Sequence, residues 1–149
     1  MWIIRVGYQG DVADPLGKAV KQDIKDLGFK VEDVKVLPTY MIEGEVERRS
    51  LDRLCTELLT DPITQYYTHK IDAKGFDWMV EVKLKKGVTD TVGESVKLGC
   101  SILGVKGVKS VSTAVTYLLK GNISKEELSY ICIKVLSNPI IQNYSYKRI

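Results

Sequence analysis

The chain opens with a stretch in which hydrophobic and polar positions alternate, and the same alternation returns about halfway along the sequence. A period of two is typical of a β-strand with one buried face. We therefore predict a strand at the start of each half. The apolar positions are Trp2, Ile4, Val6 and Tyr8 in the first strand, and Trp78, Val80, Val82 and Leu84 in the second.

A helix is predicted after each of these strands. In the first half Asp14 supplies an N-cap and Pro15 occupies the first helical position, where its missing N–H costs nothing. The apolar spacing changes to that of a helix, and a glycine follows the last apolar position in each half, as at many helix ends. The predicted buried faces are Leu16, Val20, Ile24 and Leu27, closed by Gly28, and Val92, Val96, Cys100 and Leu103, closed by Gly104.

Each half continues with a strand, a second helix and a tyrosine-bearing third strand. Pro38 lies inside the first of the middle strands, and because proline cannot donate to a ladder we expect this strand to be an edge or bulged there. Ser124 and Glu127 form a capping box before the last helix, whereas Glu47 and Ser50 occupy those places in the first half. The predicted order in each half is therefore β-α-β-α-β.

The two halves are copies of one unit. Residues 2–70 align with residues 78–147 with a single one-residue gap near Gly107, and 23 of the 69 aligned positions are identical. We predict one repeat at 1–70, a linker at 71–77 and a second repeat at 78–149. A unit of about 70 residues has a thin core, so packing two together would bury the remaining apolar sheet face. The predicted fold class is α+β: a tandem β-α-β-α-β repeat that forms a pseudo-dimer, with helices packed on sheets.

Composition narrows the classes of function. The net charge of +3 over 149 residues is too small to indicate nucleic-acid binding, which needs Lys and Arg gathered on one face. Three widely spaced cysteines without a C-x-x-C pair are typical of reduced thiols, so we expect a cytoplasmic protein. No apolar run approaches the roughly 20 residues of a membrane helix, so we expect no membrane partner.

The residues for catalysis are few. His69 is the only histidine, its counterpart in the second repeat is Tyr146, and a surface position is expected for it. No phosphate-binding loop, G-x-S-x-G or zinc spacing is present, and no nucleophile, base and orienting group can be assembled. We predict no catalytic residue, no metal site and no cofactor bound by this chain.

The best candidate for a functional site is a duplicated D-x-x-G motif, Asp14 with Gly17 and Asp90 with Gly93. Glycine in a first helical turn costs about 1 kcal/mol relative to alanine, so its repetition indicates that the backbone must come close to something. One interpretation is an anion or a partner chain docked on exposed N–H groups at the helix start. The other is close packing of the helix start on the neighbouring strand.

Aromatic side chains are also repeated. Tyr40 and Tyr117 lie in the middle strands, either as core rings whose hydroxyl reaches the rim or as contacts with a partner protein. Cys55 and Cys132 fall on the apolar stripe of the second helices and are interpreted as small buried hydrophobes.

These repeated residues are also where the chain resembles a known family. The segment from Val12 to Val20, followed by Leu27-Gly28, is similar to the D-P-x-G-x-x-V…L-G signature of PurS, the small subunit of phosphoribosylformylglycinamidine synthase. The segments 58–63, 87–93 and 135–142 resemble the same family, although Thr91 replaces the proline after Asp90. The tandem form resembles the N-terminal region of long single-chain versions of this enzyme.

The resemblance implies a role without catalysis. In the complete enzyme, which uses ATP, Mg and glutamine, a PurL synthetase activates the amide of formylglycinamide ribonucleotide and a PurQ glutaminase releases ammonia. PurS bridges the two, so PurL and PurQ are the expected partners, with self-association also expected through an exposed strand edge.

Two other classes remain as alternatives. A tandem ACT-like module that binds a small molecule would need an extra strand in each repeat, in the order β-α-β-β-α-β. An RNA-recognition domain would need an aromatic-rich K/R-G-F/Y-G/A-F-V stretch, which is absent.

Overall fold

The predicted order of elements is confirmed in a computed structural model, which describes residues 1–10 and 12–149. Each repeat contributes three strands and two helices within this described part. The first repeat holds β1 (Trp2–Tyr8), α1 (Pro15–Asp26), β2 (Asp33–Gly44), α2 (Arg48–Leu54) and β3 (Gln65–Thr68). The second holds β4 (Trp78–Leu84), α3 (Thr91–Leu103), β5 (Val108–Lys120), α4 (Lys125–Ile131) and β6 (Gln142–Arg148).

Both second helices change their winding before they end. A π-helical segment, Cys55–Leu59, continues α2, and Cys132–Leu136 continues α4. The main-chain N–H of the next residue then bonds five residues back, from Thr60 to the oxygen of Cys55 and from Ser137 to that of Cys132. Single π-helical turns of this kind are rare and are frequent at functional sites.

The strands form one sheet in the order β3-β1-β2-β5-β4-β6. Strand β1 pairs antiparallel with β2 from Trp2↔Ile42 to Arg5↔Thr39 and with β3 from Arg5↔Thr68 to Tyr8↔Gln65. Strand β4 pairs antiparallel with β6 from Trp78↔Arg148 to Leu84↔Gln142. Of the two expectations for β2, an edge strand or a bulge at Pro38, the edge is wrong because β2 lies between β1 and β5, and the bulge stays a prediction. Pro38 lies just beyond the last β1–β2 pair, Arg5↔Thr39.

The chain forms two compact units, and each unit takes segments from both repeats. Unit 1 contains residues 1–12, 38–71 and 89–114, and unit 2 contains residues 13–37, 72–88 and 115–149. The first helix and the first part of the middle strand are thus exchanged between the repeats. Helix α1 belongs to the unit that holds most of the second repeat, and α3 belongs to the unit that holds most of the first.

Each unit has its own hydrophobic core. In unit 1 the core includes Ile4 and Ile42 from strands, Leu51 and Leu54 from α2, and Val96 and Cys100 from the exchanged helix α3. In unit 2 it includes Val80 and Val82 from β4, Leu128 and Ile131 from α4, and Ile24 from the exchanged helix α1. Burying a side chain such as Ile24 contributes roughly 1.5–3 kcal/mol, so the exchanged helices stabilise the unit in which they lie.

The buried faces of the first helices are narrower than predicted. Ile24, Val96 and Cys100 are buried, but Leu16 and Val92 are 51% and 54% exposed. The reason is that Gly17 and Gly93, one position later, are the residues of the first turn that face the strand. The predicted helix end at Gly104 is confirmed, since this residue caps α3 in the left-handed conformation (φ 73°).

The predicted capping box is also confirmed. The N–H of Glu127 donates to the hydroxyl of Ser124, and the N–H of Ser124 donates to the carboxylate of Glu127. Helix α2 lacks this device, because Glu47 at its N-cap makes no side-chain capping bond.

Candidate partner-binding site

The first D-x-x-G motif lies at the start of α1 in unit 2. The N–H of Gly17 donates to Oδ1 of Asp14 (2.9 Å), which caps the helix. The N–H of Val36 in β2 donates to the other carboxylate oxygen, Oδ2 (3.2 Å). One side chain therefore holds the helix start and a strand amide together.

The second motif repeats this arrangement at the start of α3 in unit 1. The N–H of Gly93 donates to Oδ1 of Asp90 (2.8 Å), and the N–H of Thr113 in β5 donates to Oδ2 (2.6 Å). The hydroxyl of Thr113 adds a further bond to the same carboxylate (2.9 Å). Replacement of the proline by Thr91 thus leaves the cap intact.

The repeated glycines are explained by close packing. A Cβ on Gly17 would lie 2.5 Å from the carbonyl oxygen of Val34, and a Cβ on Gly93 would lie 2.5 Å from that of Val111. No side chain larger than hydrogen fits there without a shift of the backbone. The packing interpretation of the motif accounts for both glycines, while docking of a partner at these helix starts stays a prediction.

The two predicted tyrosines lie beside the cores. Tyr40 is half-buried against the core of unit 1. Asp90 and Gly93 belong to the same unit. Tyr117 is half-buried against the core of unit 2, and its hydroxyl donates to the carbonyl oxygen of Leu136 (3.4 Å). Burial raises the pKa of both phenols, which fits the interpretation as core rings, while contact of either ring with a partner protein stays a prediction.

His69 lies inside an aromatic cluster, so the expectation of a surface position is wrong. Its side chain is only 21% exposed, and its ring lies 5.4 Å from the ring of Trp2 and 6.0 Å from that of Tyr67. In the second repeat Tyr146 lies 5.8 Å from Trp78 in the same way. His69 in the first repeat and Tyr146 in the second therefore make similar aromatic contacts, each with the tryptophan of its own repeat.

The cysteines are buried, as predicted for Cys55 and Cys132. Burial raises the pKa of each of these thiols to about 12, with the charge of Asp52 adding to the effect at Cys55. A thiol that stays protonated is a poor nucleophile and a poor metal ligand. Within residues 1–10 and 12–149 no three His, Cys, Asp or Glu side chains gather so that they could hold a metal ion.

Sequence reasoning missed the most protruding apolar residues as candidate site residues. Residues 60–65 in unit 1 and 137–142 in unit 2 form a pair of turns, called here the proline–isoleucine turns. At their tips Ile63 is 86% exposed and Ile140 is 83% exposed, the two highest values among the large hydrophobic residues of the described part. The signal was present in the alignment, because Pro-Ile is identical in both repeats.

The same hydrogen bonds fix both turns. The carboxylate of Asp61 accepts from the N–H of Ile63 (3.0 Å), and the amide oxygen of Asn138 accepts from that of Ile140 (3.1 Å). Gln65 and Gln142 accept the N–H of residues 61 and 138 (2.8 and 2.7 Å). The hydroxyls of Thr60 and Ser137 donate to the carbonyl oxygens of Cys55 and Cys132 (2.7 Å each), the first residues of the two π-helical segments. Each isoleucine is thus presented on a rigid support.

An open depression adjoins the first turn. It has a volume of about 330 Å³ and is lined by hydroxyl, amide and aromatic side chains together with Pro62. Gln9 spans the turn by donating to the carbonyl oxygens of Pro62 (3.0 Å) and Gln65 (2.6 Å).

Comparison with known proteins decides the family. The family model described as PurS, phosphoribosylformylglycinamidine (FGAM) synthase, matches residues 2–73 and again residues 77–149. The chain belongs to the PurS family. Its two PurS repeats confirm the predicted internal duplication and, with the mixed sheet and helices, the predicted α+β fold.

Single-repeat relatives match this PurS chain over about half its length. The PurS subunit of phosphoribosylformylglycinamidine synthase from Archaeoglobus fulgidus is 37% identical over 71 residues, which cover 44% of this chain and 89% of the relative. The same subunit from Methanocaldococcus jannaschii is 36% identical over 73 residues, covering 46% and 88%. The crystal structure of Methanocaldococcus jannaschii PurS is 32% identical and covers 50% of this chain and 95% of its own, with a TM-score of 0.46.

The family identity also bears on the alternatives. Each repeat supplies three strands within the described part of the chain, whereas an ACT-like order needs four.

Among the described residues, no helix has the length and apolar character required to cross a bilayer.

Proposed function

We propose that this chain is a subunit of FGAM synthase that carries no active site and bridges the PurL synthetase to the PurQ glutaminase in the cytoplasm. The bridge keeps the two subunits close enough for ammonia from glutamine to reach the synthetase. ATP, Mg and glutamine are then used by the partner subunits and not by this chain.

The observation that carries this proposal is the match of the PurS family to both repeats. The relatives are named as subunits of this synthase, which indicates a protein that works with others. The buried, protonated thiols and the D-x-x-G carboxylates, which are engaged in capping, fit a chain that supplies contacts rather than chemistry.

A reconstitution experiment tests the proposal. The synthetase and glutaminase subunits of the same organism are purified, and FGAM formation is measured with glutamine or with ammonium as nitrogen source, with and without this chain. We expect the chain to raise the glutamine-dependent rate and to leave the ammonium-dependent rate unchanged, because only transfer of ammonia between subunits needs the bridge.

Two results would contradict the proposal. One is a glutamine-dependent rate that does not change when this chain is added. The other is hydrolysis of ATP or glutamine by the chain alone, which would give it an active site of its own.

A further inference from the structure

Strand β6 (Gln142–Arg148) is the last strand on its side of the sheet, so one of its edges has no neighbour among the described strands. Its pairing with β4 runs without a bulge over all seven residues. The strand holds no proline, and its charged side chains occur only at the last two positions, Lys147 and Arg148. Edge strands are normally protected by bulges, prolines or central charges. The outer edge of β6 lacks these devices over most of its length.

The hydrogen bonds beyond the two ends of β6 show which main-chain groups point to the open edge. The N–H of Lys85 donates to the carbonyl oxygen of Ile141 (2.8 Å). At the other end, the N–H of Ile149 donates to the carbonyl oxygen of Asp77 (2.9 Å). Hydrogen-bonded pairs recur at every second residue of an antiparallel ladder, so the odd-numbered residues of β6 bond to β4. The even-numbered residues therefore direct their N–H and C=O groups outward, and these are Gln142, Tyr144, Tyr146 and Arg148.

Most of these outward groups are unpaired. The N–H of Gln142 is already bonded to the carbonyl oxygen of Asn138 (2.8 Å). The outward N–H groups of the other three residues have no hydrogen-bond partner within the described part of the chain. The side chains on this row are partly aromatic, and the rings of Tyr144 and Tyr146 stack with their centroids 6.4 Å apart. Such a row of unpaired main-chain groups is a template for one further strand.

A second copy of β6 fits this template when the two strands lie antiparallel and Ser145 faces its own counterpart. This register overlaps all seven residues of both strands, and a shift in either direction shortens the overlap. The outward groups of the two strands then face each other, with Tyr144 opposite Tyr146 of the second copy. The two stacked tyrosine pairs lie on the same face and form one row, which is a favourable cross-strand arrangement.

The charges of β6 are compatible with the same register. Lys147 of one copy faces Asn143 of the other, so the ammonium group meets a neutral amide. In the same way Arg148 faces Gln142. Like charges placed directly opposite each other on paired strands are destabilising, and this register contains no such pair.

The other edge of the sheet offers less. Strand β3, at that edge, has only four residues, so pairing of β6 with β3 of another copy would give a shorter overlap. Such head-to-tail pairing would also leave a free edge at each end and would continue without closing. Pairing of β6 with β6 uses the same edge on both copies and closes with two chains.

We infer that the outer edge of β6 is a self-association surface, through which two copies of this chain join antiparallel into one continuous sheet. The contact forms about six main-chain hydrogen bonds, because each outward residue pair exchanges up to two and the N–H of Gln142 is already engaged. This goes beyond the proposed function, since it concerns a contact between copies of the chain and needs neither PurL nor PurQ.

Charges placed at the symmetry axis test this surface in the full chain. Because Ser145 faces itself, Ser145→Lys and Ser145→Glu each place two like charges directly opposite each other. We expect each variant to raise the dissociation constant of the dimer, measured by sedimentation equilibrium, by about tenfold or more. An equimolar mixture of the two variants should return to within a few-fold of the parent, because opposite charges then meet. Ser112→Lys, at an exposed serine of the interior strand β5, is the matched control and should keep the parental constant.

Disulfide trapping tests the register. Opposed residues of a non-hydrogen-bonded pair have Cα atoms about 4.5 Å apart, which a disulfide can span. Ser145→Cys should therefore cross-link with itself under a mild oxidant. Asn143→Cys alone should not, because its counterpart lies roughly 14 Å away, whereas a mixture of Asn143→Cys and Lys147→Cys should cross-link. The native cysteines are buried and do not compete.

Folding is checked on the same samples. Ser145 and Asn143 are exposed, so the thermal midpoints of their variants, extrapolated to low concentration, should match that of the parent. A change in association without a change in this midpoint then reports the contact itself.

Three outcomes would overturn the inference. One is a parent that stays monomeric over its full soluble concentration range. Another is a dimer that neither Ser145→Lys nor Ser145→Glu weakens, which would place the contact elsewhere. The third is a monomeric parent whose binding to the synthetase or the glutaminase is lost in Ser145→Lys, which would assign the edge to a partner protein. Each of these outcomes leaves the proposed bridging function standing.

Discussion

Replacing Gly17 by alanine is expected to destabilise the protein, although the same replacement in an ordinary helix is stabilising. Alanine is favoured over glycine in a helix interior by about 1 kcal/mol. At Gly17, however, the added Cβ would lie 2.5 Å from the carbonyl oxygen of Val34 and 2.7 Å from Oδ2 of Asp14. Ordinary carbon–oxygen contacts are about 3.3 Å or longer, so the helix start or the strand must move by close to 1 Å.

The size of the effect is the balance between the steric cost, with the weakened cap, and the gain in helix propensity. Forcing a methyl group into a packed site costs about 1–3 kcal/mol, and displacing the Asp14 carboxylate weakens a cap that contributes about 1 kcal/mol. After the gain in helix propensity, the free energy of unfolding should fall by about 2 kcal/mol. For a chain of 149 residues this corresponds to a thermal midpoint lower by about 4–8 °C.

Two other glycines of the chain provide a replicate of this test and a control. Gly93→Ala should behave as Gly17→Ala does, because its Cβ would meet the carbonyl oxygen of Val111 at the same distance of 2.5 Å. Gly99→Ala, also within a helix, should be neutral or stabilising. Its Cβ would meet only the flexible end of Leu58, a side chain that is 44% exposed and can turn away.

Urea unfolding followed by circular dichroism at 222 nm measures all three variants. The reasoning would be refuted if Gly17→Ala were as stable as the parent, or if Gly99→Ala lost as much stability as Gly17→Ala. Either result would mean that close approach to the strand does not account for the repeated glycine.

Three further predictions follow from the same structure. Transferring the capping box to α2 with Glu47→Ser and Ser50→Glu should raise the free energy of unfolding by about 1 kcal/mol in urea denaturation, and no gain would show that the first turn of α2 is already satisfied. Because burial raises the pKa of Cys55 and Cys132 to about 12, against about 8.5 in an unfolded chain, the stability from their neutral form is fully present below pH 8.5 and is lost as the pH rises toward 12. Urea midpoints should therefore fall more steeply between pH 8.5 and 10.5 in the parent than in a variant with alanine at both positions, and equal slopes would contradict the assignment. A fragment of residues 1–74 should have a thermal midpoint that rises with its concentration, because its first helix belongs to a core that the fragment lacks; a concentration-independent midpoint of a folded monomer would contradict the exchange.

Local patterns predicted the elements well because their causes are local. The alternation at Trp2–Tyr8, the capping box at Ser124 and the glycine at position 104 each act within a few residues, and each is confirmed. The prediction that Leu16 is buried was wrong because the contact that decides it, between the start of α1 and Val34 in β2, is not local in sequence. A face defined by hydrophobicity alone does not reveal that Gly17 is the residue in contact with the strand.

The exchange of helices could not be predicted from the sequence. Ile24 and Cys100 are equivalent positions on helices with similar apolar faces, so either helix satisfies the pattern of either core. Which core each helix joins is set by contacts far apart in the sequence, and hydrophobic periodicity carries no information about them. The edge prediction for β2 failed for a similar reason, because the strand order depends on pairing between segments far apart in the sequence.

The candidate site was predicted only in part. The D-x-x-G residues and the tyrosines were identified because they repeat, and the structure gives most of them internal roles in capping and packing. Ile63 and Ile140 also repeat, but exposure is what separates them from core residues, and exposure is not visible in an apolar letter that follows a proline.

The exchange gives the D-x-x-G motif a structural role that does not depend on docking of an anion or a partner chain. The chain passes from unit 2 to unit 1 within β2, between residues 37 and 38, so α1 and the first part of β2 belong together in one unit. Asp14 bonds to both, and Gly17 lets them approach, so the motif joins the exchanged helix to the strand segment that is exchanged with it. The same holds for Asp90 and Gly93 in the other unit. Contacts within each unit therefore account for the repetition of both residues of the motif.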